Sequence, residues 1–288
     1  MIPALKKWLT QSALDPEDSA RIDRAVMNLN SAGFDDWGME PGTIKAALPF
    51  VKWLYRHYFR VETHGIERVP AGRVLLIANH GGQLPMDGLV VGLSMLLDGH
   101  PPRLVRGMVE RWFPSLPFVS TLFMRIGQMV GDHRNCRELL EREECVLVFP
   151  EGVRGSGKLF SKRYQLQRMG TGFVRLALEA RAPIVPVAVI GCEETYPAIF
   201  NFKGLARLTG APYLPVTPFW PLLGPLGAVP LPTKVTLRFG EPLRFNVDPD
   251  APDSVVTGLV EQVRERLGAE IQEGLKLRGE HIFSGAGK

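Results

Sequence analysis

The sequence predicts an α/β fold, a central and mostly parallel sheet flanked by helices, and three observations carry that expectation. Short apolar runs of buried-strand length recur at residues 73–78 (RVLLIA), 145–149 (CVLVF), 184–190 (IVPVAVI) and 234–239 (KVTLRF). Helical patterns at 86–97, 135–142, 172–181 and 253–276 lie between and after them. Such alternation of strand and helix is the pattern of a largely parallel sheet between helical layers. Finally, 45% of the 288 residues are hydrophobic, enough for a sizeable core and too many for a disordered or fibrous chain.

Taken in order, residues 1–40 read as an amphipathic helix followed by a linker rich in Gly and Asp (SAGFDDWGMEPG). Residues 43–58 (TIKAALPFVKWLYRHY) place Ala47, Phe50, Val51 and Leu54 on one helical face, with Lys45, Lys52, Arg56 and His57 elsewhere. A basic, aromatic helix of this kind suits a membrane interface, and equally a packing helix on the domain surface. The expected division is therefore a helical segment at 1–58 for membrane-surface docking, then a catalytic domain at 59–288. Residues 59–64 and 103–107 add two further strand candidates.

Two apolar segments stand out. Residues 111–125 (RWFPSLPFVSTLFMR) are dense in apolar side chains, and 211–232 (APYLPVTPFWPLLGPLGAVPLP) carry no charge and many prolines. Proline at that density excludes a regular helix, and unpaired backbone is costly in a bilayer core. The second segment is expected to wedge Phe219, Trp220, Leu222 and Leu223 into a lipid interface or to line a groove. The plain alternative is a proline-rich loop covering a sheet edge.

Charge and cysteine usage narrow the class. A net charge of +4 with 22% charged residues is mildly basic, compatible with anionic lipid surfaces or phosphorylated substrates. It lacks the Lys/Arg excess of a nucleic-acid binder. Cys136, Cys145 and Cys192 form no CxxC pair, so reduced thiols in a cytosolic setting are expected, without disulfide or zinc. Residues 1–14 lack the apolar core of a signal peptide, and there is no run of 18 apolar residues to span a bilayer. A protein that is soluble or sits on a membrane surface is the expectation.

The chemistry begins where the RVLLIA strand ends, with Asn79-His80-Gly81-Gly82-Gln83-Leu84-Pro85-Met86-Asp87-Gly88. α/β sheets place ligands at the carboxyl ends of their strands. A neutral imidazole there can take a proton near pH 7, and a carboxylate on its other nitrogen fixes the tautomer and stabilises the imidazolium. Alone, these residues equally describe a histidine that caps a turn. A second cluster, Phe149-Pro150-Glu151-Gly152-Val153-Arg154-Gly155, directly follows the CVLVF strand. In a parallel sheet it falls on the same edge as His80. Glu, Gly and Arg in a tight turn offer a carboxylate for hydroxyls, close backbone approach and a guanidinium fork for phosphate. A structural turn closed by a Glu–Arg pair is the alternative. Pro186 interrupts a third strand and points to an edge or a bulge.

These three blocks, in this order, resemble the glycerolipid acyltransferase family, which includes lysophosphatidic acid and glycerol-3-phosphate acyltransferases. The resemblance covers residues 59–240. It implies that His80 is the general base, that Asp87 orients it, and that Glu151, Gly152 and Arg154 bind the acceptor, with Pro186 shaping the acyl-donor side. It implies an acyl thioester donor, acyl-CoA or acyl carrier protein, with no cofactor and no metal. The remaining partners it implies are a glycerolipid-type acceptor such as lysophosphatidic acid and a membrane surface on the cytoplasmic side. Two features depart from the family. Six residues separate His80 from Asp87 instead of the usual four, and in GQMVGDHRN at 127–135 His133 stands where an acceptor-binding arginine would fall. Arg134 is the substitute after a shift of one residue; without it, a phosphate-free acceptor such as a diacylglycerol or a long-chain alcohol is implied. A noncatalytic lipid-surface protein of the same fold is the reading from another class. The later cations Lys158, Lys162, Arg163 and Arg168 read as a solvated charged face, or as contacts for donor or lipid phosphates.

Overall fold

The structure, a computed structural model, describes residues 14–26, 28–81, 84–110, 119–202 and 213–279. The strands among these are β1 Glu62–His64, β2 Val74–Ala78, β3 Val105–Val109, β4 Met129–Val130, β5 Cys145–Val148, β6 Ile184–Ile190, β7 Phe200–Asn201, β8 Pro215–Val216 and β9 Thr236–Phe239. The α-helices are α1 Pro16–Ala25, α2 Pro41–Trp53, α3 Met86–Leu97, α4 Val119–Arg125, α5 His133–Glu141, α6 Val153–Ser156, α7 Gly172–Glu179, α8 Cys192–Thr195 and α9 Asp253–Arg278.

Seven strands form one sheet in the order β1-β9-β6-β2-β5-β3-β4, and β7 pairs with β8 apart from it. Every pairing in the large sheet is parallel except β6 with β9. The mostly parallel sheet expected from the sequence is therefore present. Strand periodicity then divides the core. Val74, Leu76 and Ala78 face one hydrophobic layer, and Leu75 and Ile77 face the other. The first layer includes Ile22 of α1, Ile44 and Leu48 of α2, and Val90, Val91 and Leu97 of α3. The second is closed by α5, α7 and α9, whose Val256, Leu259, Val260, Val263, Leu267 and Ile271 form one buried stripe at helical spacing.

Local signals account for several element ends. Asp15 caps α1 by accepting the Glu17 N–H at 2.9 Å, with Pro16 in the first turn, and Asp132 caps α5 through the Arg134 N–H at 2.9 Å. The strand expected at 59–64 begins only at Glu62, because helical backbone runs on through Tyr58 and Arg60 takes a positive φ of 46°. The strand expected at 103–107 is shifted to Val105–Val109. Pro186 lies in an interior strand rather than at an edge. It sits beside a break in the β9 ladder, where the Gly240 N–H donates to its carbonyl and Leu243 re-pairs with Ile184. Of the amphipathic helix expected within residues 1–40, α1 Pro16–Ala25 is present, while residues 1–13 lie outside the described residues, as do 111–118 of the first apolar segment. Residues 119–125 of that segment are helical. The segment before α2 is pinned by a buried ion pair that the sequence did not advertise. Arg106 of β3 meets Asp35 at 2.6 Å and Glu144 at 3.3 Å, while Asp35 also accepts the Met39 N–H at 2.7 Å.

Candidate active site

Register places the two chemical clusters side by side. Ile77 of β2 pairs with Val148 of β5, so both chains leave the sheet together at its carboxyl edge. Asn79 is fully buried and ties this edge to the next strand. Its side chain donates to the Val189 carbonyl at 3.0 Å and accepts the Val189 N–H at 2.8 Å. His80 follows, with its ring stacked on Phe149 at 4.3 Å between centroids and 24° between planes.

His80 Nδ1 lies 2.6 Å from Asp87 Oδ2, across the longer loop. Asp87 is in the first turn of α3, where the helix dipole favours a carboxylate, and the same oxygen accepts the Gly81 N–H at 3.0 Å. The pair thus meets despite the two additional residues between them. Burial pushes the His80 pKa down, but the charge and hydrogen bond of Asp87, aided by Glu151, outweigh it and hold it above the ordinary value; Lys158 opposes them. With Nδ1 engaged by Asp87, Nε2 is the other ring nitrogen.

Glu151 does not present its carboxylate to a surface. It is 3% exposed, accepts the His80 N–H on Oε1 at 2.9 Å, and accepts the Gln167 N–H on Oε2 at 2.6 Å. Lys158, read from the sequence as part of an exposed basic run, is buried as well, 3.6 Å from Glu151 and 3.0 Å from Glu193. Lys162, Arg163 and Arg168 do lie at the surface. Gly152 turns the chain at φ 54°, and a Cβ there would come within 3.0 Å of Glu110 Oε1. Gly155 lets the turn press on the histidine, since a Cβ would sit 2.7 Å from the His80 Cβ.

A cavity of about 610 Å³ opens beside His80. Ala47, Leu48 and Val51 of α2, Leu89, Leu93 and Leu96 of α3, and Val105 and Met108 of β3 are among its apolar walls. Glu110 and Tyr213 join His80 in the polar part of the lining. His80, Asp87, Glu151 and Gly152 are brought together, and Gly152 is part of that lining. Arg154 and Arg134 are exposed, and neither lines the cavity; nor does Pro186. His133 points its Nε2 to Glu179 at 2.8 Å. Glu193, Gln167 and Glu110 were not singled out from the sequence, and Lys158 was named only as a solvated charge or a phosphate contact. No local motif marks Glu193, whose partners Lys158 and the Tyr164 N–H lie 35 and 29 residues away.

The fold and the site define a class: an α/β protein with a His–Asp pair at the carboxyl edge of its sheet, beside an apolar cavity. The chain belongs to the acyltransferase family, whose pattern it matches over residues 60–190. An uncharacterized protein of Mycobacterium leprae is 44% identical over 241 residues, which cover 81% of this chain and 65% of that protein. One of Mycobacterium tuberculosis is 40% identical over 265 residues, covering 88% and 74%. A human protein, "DGAT1/2-independent enzyme synthesizing storage lipids", is 24% identical over 222 residues, covering 76% and 63%. The crystal structure of the 1-acyl-sn-glycerophosphate (LPA) acyltransferase PlsC from Thermotoga maritima superposes with a TM-score of 0.52 at 18% identity, covering 95% of this chain and 94% of that one. That likeness is one of fold. No helix among the described residues is long and apolar enough to cross a membrane.

Proposed function

We propose that this acyltransferase moves a fatty acyl group from acyl-CoA or acyl carrier protein to a hydroxyl of a glycerolipid-type acceptor, with His80 as general base. The observation that carries this reading is the 2.6 Å His80–Asp87 pair in the wall of an apolar cavity of about 610 Å³. The acyl chain lies in that cavity with its thioester carbonyl near His80. The acceptor oxygen gives its proton to Nε2 as it bonds to the carbonyl carbon. The C–S bond then breaks, and the departing thiolate takes the proton from the imidazolium. Asp87 keeps the proton on Nδ1 and stabilises the transient cation. A base of this kind contributes roughly 10²–10⁴-fold.

Acyl transfer by the purified protein from thioester donors to a panel of lipid acceptors is the direct test, and His80→Ala is expected to abolish it. Undiminished transfer in that variant would sink the mechanism. Binding of lipid with no transfer to any acceptor would leave a noncatalytic lipid-surface protein.

One set of observations favours a phosphate-free acceptor over a lysophosphatidic acid-like one. His133 is engaged by Glu179, Arg134 and Arg154 stand off the cavity lining, and among the described residues the charged side chain that joins His80 there is the acidic Glu110. Activity with diacylglycerol or a long-chain alcohol, exceeding that with lysophosphatidic acid, supports this choice; the reverse ranking overturns it.

Peripheral docking on the cytoplasmic side of a membrane completes the reading. Phe50 and Trp53 of α2 are exposed, as are Phe219, Leu222, Leu223, Leu226 and Val229 of the proline-rich loop. The two groups adjoin through Tyr58, whose ring is 6.1 Å from Trp53 and whose hydroxyl donates to the Pro230 carbonyl at 2.6 Å. Apolar exposure on this scale is unusual for a solvated surface. Co-sedimentation with anionic liposomes is expected, and is expected to weaken in a Trp53→Ser, Phe219→Ser, Leu222→Ser variant. Undiminished co-sedimentation of that variant removes this face from the reading.

A further inference from the structure

The carboxylate of Glu151 is held from behind by groups that no motif of the family reading includes. Lys158 places its ammonium 3.6 Å from Glu151 Oε2 and 3.0 Å from Glu193 Oε1, and it also donates to the Gln165 carbonyl at 3.4 Å. Glu193 accepts the Tyr164 N–H on its other oxygen at 3.0 Å. The side chains of all three ionic groups are at most 5% exposed. Glu193 also touches the catalytic loop directly: a Cβ on Gly81 would lie 1.9 Å from Glu193 Cγ, so only glycine fits beside it. A second buried pair extends the chain of contacts. Tyr164 donates its hydroxyl to Glu194 at 2.8 Å, and Arg278, in the last turn of α9, grips Glu194 through two 2.6 Å bonds.

A buried ion pair is a poor source of net stability, because desolvation offsets most of the attraction. What it supplies here is direction. Both oxygens of Glu151 are aimed at backbone N–H groups, one of them that of His80, and the Lys158 ammonium lies 3.6 Å from Oε2. The ammonium in turn is shared with Glu193, which packs under Gly81.

We propose that Lys158 and Glu193 are positioning residues for acyl transfer: they hold Glu151 so that its carboxylate fixes the His80 amide, and through it the imidazole, at the cavity wall. The proposal rests on the reading of His80 as base. Neither residue touches substrate. Their effect reaches the reaction through the placement of His80 and through the charge around it.

The charged and titratable groups around His80 are Asp87 from α3, Glu151 and Lys158 from the turn after β5, Glu193 below Gly81, and Glu110 and Tyr213 across the cavity. Lys158 lowers the His80 pKa and Glu151 raises it. The acid limb of kcat/KM reports the protonation of this base in the free enzyme. Lys158→Met is therefore expected to move that limb to higher pH, and Glu151→Gln to move it to lower pH. A loss of fold alone would reduce the amplitude without moving the limb in opposite directions.

The experiment measures kcat, KM and the pH profile of the full chain with an acyl-CoA donor and the acceptor found in the panel. Lys158→Met is expected to lower kcat by about 10²-fold, the scale of a misplacement near 1 Å, with KM for the thioester close to the parent value. Lys158→Arg is expected to recover the position of the acid limb. Glu193→Gln keeps shape and an acceptor oxygen, so it carries the test if Lys158→Met does not fold; a lower kcat with KM for the thioester close to the parent value is expected. Parent-like kcat and an unmoved limb in the folded variants overturn the proposal. If instead His80→Ala retains transfer, the reading beneath it fails, and the two failures are told apart by that variant alone.

Discussion

On one side of the sheet, Leu75, Ile77, Ala188 and Ile190 meet the side chains of α7 and α9 directly, and Val263, Leu267 and Ile271 are at most 1% exposed. On the other, Val105 and Leu147 share their space with α2 and α3 around a cavity of about 610 Å³. Both layers draw aliphatic side chains from the same strands. The side chains around the cavity forgo contacts that would otherwise stabilise that layer. The hollow side is also the side on which His80 opens. A cavity beside a histidine and carboxylate 2.6 Å apart is where the proposed reaction would seat its acyl chain.

That contrast makes substitutions on the two sides behave differently. The largest effect is expected at Asp87, where Asn keeps the shape but admits the wrong imidazole tautomer. Asp87→Asn should lower kcat by on the order of 10²–10⁴-fold with little change in melting temperature, measured by steady-state turnover and thermal denaturation. On the filled side, Leu267→Ala should cost about 2–5 kcal/mol in denaturant titration without altering acyl-chain preference. A shift in chain preference from that variant would break the division between the faces.

Two helical glycines provide a finer comparison. A Cβ on Gly274 of α9 would lie 2.3 Å from Ile190 Cδ1, whereas one on Gly92 of α3, in the cavity wall, meets nothing within 4 Å. Gly274→Ala should therefore destabilise by about 1–3 kcal/mol through overpacking. Gly92→Ala should stabilise by roughly 0.5–1 kcal/mol through helix propensity. Gly92→Phe would occupy the cavity and move donor preference to shorter chains, at roughly 0.8 kcal/mol for each methylene denied burial. Equal signs for the two alanine variants would contradict the assignment of hollow and filled sides.

The smallest effect concerns pH. The His80 pKa is raised, so activity that needs neutral imidazole should rise through an acid limb above about 6.5. Stability runs the other way. The protonated His80–Asp87 pair contributes fully below the unfolded value of about 6.5 and loses its contribution as pH rises through the raised folded value. Denaturation midpoints of the parent and His80→Ala proteins across that window should converge toward high pH.

Much of the site was readable in advance, for a physical reason. The Asn79–Asp87 and Phe149–Gly155 turns follow apolar strands of similar length, and parallel pairing brings such strand ends to one edge. Asp87 was assigned across an unusual spacing, and its 2.6 Å contact depends on how the loop and the first turn of α3 are placed. Glu151 and Lys158 were legible as charges but not as buried ones. Their partners, the His80 N–H and Glu193, lie 71 and 35 residues away in sequence. Of the edge or bulge suggested by Pro186, the edge is excluded, since β6 is interior, and a break in the β9 ladder lies beside the ring.

By itself, the sequence determined the strand and helix alternation, the mostly parallel sheet and the edge on which His80 and Glu151 appear. These follow from hydrophobic periodicity and local turn chemistry, which act over a few residues. Tertiary structure alone decided which layer is filled and which is hollow, that Lys158 is buried, and that Arg134 and Arg154 stand apart from the cavity. Those outcomes depend on volumes and charges meeting across long separations, which local patterns do not record.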